Sequence, residues 1–174
     1  MKNEDLPRLE DRVTFLTHRI NARLQQLSGP VISPFGLDLY SSRILYALAQ
    51  NGPMKVGQLV DLMALPQSTI SHQIKRMEKS GLVRRVRSQQ DNRTVEVSLT
   101  EAGNRATRVC AALSDAIQTH IGAAFEPEEL QQLTRGLQHV YDLLSDLPEL
   151  ERQVQHDAAL SGMEQPMCSF QREN

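Results

Sequence analysis

Apolar residues step by threes and fours through most of this chain and alternate in only one short stretch. Leu6, Leu9, Val13, Leu16, Ile20, Leu24 and Leu27 mark one face of a long amphipathic helix, which Gly29-Pro30 is expected to end. Residues 31–36, punctuated by Pro34 and Gly36, read as a loop. Asp38 is the expected N-cap of a helix over 39–50 that faces inward through Ile44, Leu45 and Leu48 and stops at Asn51-Gly52-Pro53. Val56, Leu59, Val60, Leu62 and Met63 form a short apolar helix. Between Pro66 and Gly81 a further helix keeps only a narrow stripe of Ile70, Ile74 and Met77. Leu82-Val83 and Val86, followed by the alternation over 94–99, predict two short strands around a polar loop.

Helical spacing then returns. Thr100 is placed to cap a long helix whose stripe runs Ala106, Val109, Cys110, Leu113, Ile117, Ile121 and Ala124, with Glu101 in its first turn. Glu126-Pro127-Glu128-Glu129 restarts the chain, and Leu130, Leu133, Leu137, Val140, Leu144 and Leu147 repeat in heptads up to Pro148. Residues 149–160 read as one more short helix and 161–174 as a polar, mobile tail. The predicted class is mainly α with a small β-hairpin, an α+β arrangement. Three long apolar stripes exceed what one chain of this length can bury, which predicts an intertwined homodimer. The expected divisions are a dimerisation helix over 1–30, a central domain over 37–99, dimerisation helices over 100–148, and a short helix with tail over 149–174.

Charge changes the picture more than composition does. Aromatic residues are 4% of the 174 and Trp is absent, so the core must be aliphatic. Residues 66–93 hold seven Lys/Arg against Glu78 and Asp91, a local +5 in a chain of net −2, so the remainder carries −7. A basic patch on an otherwise acidic body points to a polyanion. On the helix that Pro66 is expected to open as its first residue, the face opposite the apolar stripe presents Gln67, Ser68, Thr69, Ser71, His72, Lys75, Arg76 and Lys79. Helix, tight turn and helix in this order form a helix-turn-helix whose second member would enter the major groove by its N-terminal half.

The ordered set of motifs resembles the winged helix-turn-helix of the MarR family of bacterial transcription regulators. It comprises Ser68-Thr69-Ile70-Ser71, then Met77-Glu78-Lys79-Ser80-Gly81-Leu82-Val83-Arg84-Arg85, the triplet Asp91-Asn92-Arg93, and Leu99-Thr100-Glu101-Ala102-Gly103. The resemblance spans roughly Leu9 to Leu147. It implies a homodimer bound to double-stranded DNA at an inverted-repeat operator, a repressor released by a small, anionic aromatic effector. Gln67, Ser68, Thr69, Ser71, His72 and Lys75 would read bases; Arg76, Arg84 and Arg87 would meet phosphates; Arg93, oriented by Asp91, would enter the minor groove. The family's effector pocket would place Tyr40, Arg43 and Tyr46 against the ligand, with an arginine for a carboxylate and phenols for a ring. An activator, an effector-blind regulator, or an adaptor that keeps the fold without binding DNA stand as alternatives.

Other chemistries find little support. Neither a nucleophile elbow, nor a phosphate-cradling glycine loop, nor an H-E-x-x-H pair occurs, so no enzyme is expected. His18, His72, His120, His139 and His156 are scattered, and no metal or cofactor is expected. Cys110 falls on an apolar stripe and Cys168 in the polar tail. Thiol-switch members of the family carry their cysteine near the start of the first helix, where this chain has none. No apolar run approaches the ~20 residues of a membrane span, and Met1-Lys-Asn-Glu-Asp has no apolar signal core, so a cytoplasmic protein is expected.

Overall fold

In the computed structural model of the chain, residues 8–87, 95–145 and 147–160 are described, with side chains over 150–157 in the last stretch. The chain divides into two compact units, Met1–Thr119 and His120–Asn174. The expected wing residues Asp91 and Arg93, and Cys168 in the tail, lie outside the described residues.

The first helix differs from expectation at both ends. A 3-10 turn, Leu9–Asp11, precedes it, Arg12 is extended, and α1 spans Val13–Ile32, running through Gly29-Pro30 instead of ending there. Two local facts make this tolerable. Proline disfavours helical backbone in the residue before it through that residue's Cβ, and Gly29 has none. Pro30 also sits in the last turn, so the missing N–H costs one bond. The gain is tertiary, because Ser28 and Ile32 are each only 1% exposed. A second 3-10 turn (Ser33–Phe35) occupies the expected loop and closes on Gly36, in left-handed backbone.

The next elements follow the sequence reading closely. The N-cap of α2 (Leu39–Asn51) is Asp38, whose carboxylate accepts from Ser41 N–H while Ser41 Oγ accepts from Asp38 N–H, a reciprocal capping box. Two residues, Met54–Lys55, form β1, a strand the alternation rule does not reveal. Then come α3 (Val56–Met63), α4 (Gln67–Lys79), β2 (Val83–Arg87) and β3 (Val95–Leu99). The sheet is antiparallel in order β1-β3-β2, with Val83 opposite Leu99 and Met54 opposite Val97. Val97 thus sits in the middle strand and is buried, whereas a free hairpin would leave it on an edge. An aliphatic core of Ile32, Ile44, Leu45, Leu59, Ile70 and Ile74 joins these elements, each side chain contributing about 1.5–3 kcal/mol by area removed from water.

Helix α5 (Glu101–Gly122) starts on a cap that also splices it to the hairpin. Thr100 Oγ1 accepts from Gly103 N–H at 3.0 Å and donates to the Gly81 carbonyl at 2.6 Å. Thr100 N–H reaches the Leu82 carbonyl at 3.1 Å. Gly103 lies so close beneath that a Cβ there would stand 2.0 Å from Leu82 O. Ala106, Thr107 and Cys110 are buried after it, and burial pushes the Cys110 thiol above its ordinary pKa although a backbone hydrogen bond opposes it. The helix ends at Gly122, so Ala124 falls past it.

In the second unit α6 spans Pro127–Ser145, with Pro127 at its first position and Glu129 Oε2 accepting from Glu126 N–H. It has no buried residue. Pro148 does not end it. A new helix, α7 (Leu147–Leu160), begins there instead, with the proline in its first turn, where a missing N–H has no partner to lose. No helix among the described residues is long and apolar enough to cross a membrane.

Candidate nucleic-acid interface

Burial sorts α4 into two faces. Ile70, Ile74 and Met77 are 0–1% exposed, as their spacing predicts. Gln67, Ser68, His72, Lys75 and Lys79 are exposed, and Thr69 and Ser71 are half-buried at the border. The turn before α4 is short. Ala64 takes left-handed backbone (φ 49°), uncommon for a residue with a Cβ, and Pro66 in extended conformation leads directly into Gln67. Pro66 is therefore the cap residue rather than the first helical one, and it supplies no side-chain hydrogen bond to the first amides. Those N–H groups carry the positive end of the helix dipole.

The far end of α4 is closed by two bonds. Leu82 N–H reaches Met77 O at 2.9 Å and Gly81 N–H reaches Glu78 O at 3.0 Å, with Gly81 at φ +71°. This Schellman closure turns the chain straight into β2. Arg84, Arg85 and Arg87 are all exposed along that strand. Arg85 pairs with Glu78 at 3.4 Å, tying strand to helix and neutralising the carboxylate that α4 carries.

Arg76 behaves differently from the cations around it. Its Nη2 donates to Asp38 Oδ2 at 2.6 Å, and Gln73 Nε2 donates to the same oxygen at 3.1 Å. Gln73 is buried although it lies off the apolar stripe. Burial pushes the Asp38 carboxyl up, but the Ser41 N–H, Arg76, Ser41 hydroxyl and Gln73 bonds outweigh it and leave the group below the usual carboxylate range. Nothing local signals this contact, since its partners are 35 and 38 residues apart. The only hint is a capping aspartate and a basic helix in one chain.

The residues expected around an effector are not gathered in one place. Tyr40 is half-buried and lines a cavity of about 320 Å³ with Gln25, Ser33 and Asp38. Tyr46 is half-buried elsewhere on α2, and Arg43 is exposed; neither belongs to that lining. Among the described residues, α1 and α6 each leave apolar stripe residues uncovered. On α1 these are Val13, Leu16, Ile20 and Leu27, with Ile20 55% and Leu27 57% exposed. On α6 they are Leu133, Leu137 and Leu144, each above 40%.

Comparison with known proteins bears on this geometry directly. A family model described as the MarR family matches residues 40–95, from α2 into β3. An organic hydroperoxide resistance transcriptional regulator of Bacillus subtilis is 29% identical over 104 residues, covering 59% of this chain and 71% of that protein. Among solved structures, a probable transcriptional regulator from Pseudomonas aeruginosa matches with a TM-score of 0.66 at 28% identity, over 76% of this chain and 99% of its own. AbsC, a MarR family transcriptional regulator from Streptomyces coelicolor, matches with a TM-score of 0.67 at 28% identity, over 80% and 97%.

Proposed function

We propose that this chain, a member of the MarR family of winged-helix transcription regulators, is a homodimeric repressor of an inverted-repeat operator, released by a small anionic aromatic effector. The observation that carries the DNA reading is the division of α4: aliphatic residues fully inward, Gln67, Ser68, His72 and Lys75 outward. Exposed Arg84 and Arg87 on β2 extend that basic surface. Phosphate contacts supply affinity and register, while side chains on α4 read base edges in the major groove. Asp91 and Arg93 keep their expected minor-groove role on the resemblance alone.

Dimerisation is supported by the uncovered stripes. Helix α1 carries Arg19 and Arg23 and no carboxylate; α6 carries Glu128, Glu129 and Asp142 against Arg135 alone. Apolar seams flanked by opposite charge suit a second copy of the chain. A two-fold dimer sets two recognition helices about 34 Å apart, one turn of B-DNA.

The test begins with a duplex selected from a random-sequence pool by the wild-type protein. Affinity for it should fall steeply with salt, whereas a fold retained only as an adaptor would select no duplex. His72→Ala is expected to leave the salt slope nearly unchanged and to relax preference at one base-pair position by about 1–3 kcal/mol, measured on single-base variants of the duplex.

For the effector, Arg43 is the proposed carboxylate anchor on the resemblance alone, and Tyr40 lines a cavity to which Arg43 does not contribute. Arg43→Ala should keep DNA affinity near wild type and abolish release by hydroxybenzoates in a gel shift, a loss of about 2–3 kcal/mol of ligand binding. Release of the variant at wild-type ligand concentrations would remove Arg43 from the site.

A further inference from the structure

We infer that Asp38 is the positioning residue of the recognition helix: one carboxylate caps α2 and, through Gln73 and Arg76, sets how α4 is turned about its own axis. Only the last consequence, for DNA, rests on the proposed function. Apart from its closing turn and the Glu78–Arg85 pair at its C-terminal end, helix α4 is held by Ile70, Ile74 and Met77, and apolar contact is non-directional. Asp38 Oδ2 supplies direction. It accepts from Gln73 Nε2 and Arg76 Nη2, residues three apart on one flank of α4. A roll that carried this flank away from α2 would lengthen both bonds at once.

The carboxylate cannot follow such a roll, because its other side is engaged. Oδ1 accepts from Ser41 N–H at 2.8 Å, and Asp38 N–H is held by Ser41 Oγ at 2.8 Å. Gln73 Oε1 and Arg76 Nε are buried without a hydrogen-bond partner. Each of these side chains is therefore tied down chiefly by the nitrogen that faces Asp38, with a 3.4 Å contact from Arg76 Nη2 to Ser41 Oγ as the remaining support. Arg76, its side chain still 39% exposed, is engaged with Asp38, although its place in a basic helix suggests a phosphate ligand. What the clamp orients is the outward row of Ser68, His72 and Lys75. A helix free to roll keeps its charge near DNA but loses the alignment that base edges require.

The experiment compares wild type, Asp38→Ser, Asp38→Asn and Arg76→Met on the selected duplex and on an unrelated duplex of equal length. Serine and asparagine cap helices about as well as aspartate, so α2 is retained. Neither carries the charge, and serine is too short to reach α4. All three variants should bind the selected duplex tenfold or more weakly, with the unrelated duplex and the salt slope little changed. The double variant Asp38→Asn/Arg76→Met should be no weaker than either single one. In DNA-free protein, amides 73–79 should exchange tenfold or more faster while those of α2 keep their wild-type rates.

Three results would each overturn the clamp. The first is Asp38→Asn and Asp38→Ser binding as tightly as wild type while Arg76→Met weakens both duplexes alike and lowers the salt slope by about one, which makes Arg76 a phosphate ligand. The second is losses that multiply in the double variant. The third is unchanged exchange in α4. A wild-type protein that selects no duplex would defeat the DNA reading by itself, and the exchange rates would still decide the clamp.

Discussion

Gly103→Ala is expected to destabilise the protein by about 3 kcal/mol or more, lowering its melting temperature by roughly 6–12 °C. The new Cβ would lie 2.0 Å from Leu82 O and 3.0 Å from Leu82 C, both backbone atoms, with Leu99 Cδ2 at 3.3 Å. A flexible side chain could swing aside, but Leu82 cannot. Its carbonyl receives Thr100 N–H, and its own N–H closes α4 on Met77 O. Any shift that relieves the clash therefore strains the α4 closure, the base of the hairpin and the Thr100 cap together. Gly57→Ala is the matched control. Nothing lies within 4 Å of its added methyl and Gly57 is helical, so stability should hold or rise by up to about 1 kcal/mol. Scanning calorimetry of the two variants beside wild type measures both effects. A Gly103→Ala protein that melts with wild type would mean the α5–hairpin junction is looser than its geometry.

Leu137→Glu is expected to separate assembly from folding, giving a monomer that has lost at least a hundredfold in affinity for the selected duplex. Leu137 is 41% exposed in the single chain, and α6 buries no residue. The charge therefore meets water in the protomer and meets an apolar seam only in the dimer. Linking two reading heads converts the second half-site contact into an intramolecular one, typically worth 10²–10⁴ in avidity, roughly what dissociation removes. His139→Glu adds the same side chain to an exposed position of α6 off the heptad stripe and should remain dimeric. Light scattering gives the mass, far-ultraviolet circular dichroism the helix content, and salt-titrated gel shifts the affinity. A Leu137→Glu dimer with full affinity would move the seam away from α6.

Both predictions draw on facts of different reach, and the same difference separates what the sequence by itself determined from what folding decided. Spacing at i+3 and i+4 was enough to find α2, α3, α4, α5 and α6, and to turn Ile70, Ile74 and Met77 inward. The outward face of α4 followed as the complement of that stripe. Caps were equally legible, because Asp38 meets Ser41 and Thr100 meets Gly103 within one turn, and Gly81 closes α4 within five residues. The misreadings came where a distant partner outweighed a local rule. Pro30 stays inside α1 because the buried Ile32 beyond it joins the core; Pro148, which opens a helix rather than closing one, follows the local first-turn rule instead. Met54–Lys55 becomes a strand because β3 lies alongside it, and Gly103 is required by the carbonyl of Leu82. Gln73 is buried, and Arg76 held, by the carboxylate that caps another helix. Backbone preference acts over one turn of chain, so sequence pattern reports it, whereas these side chains answer to neighbours that only tertiary packing brings within hydrogen-bond or van der Waals range.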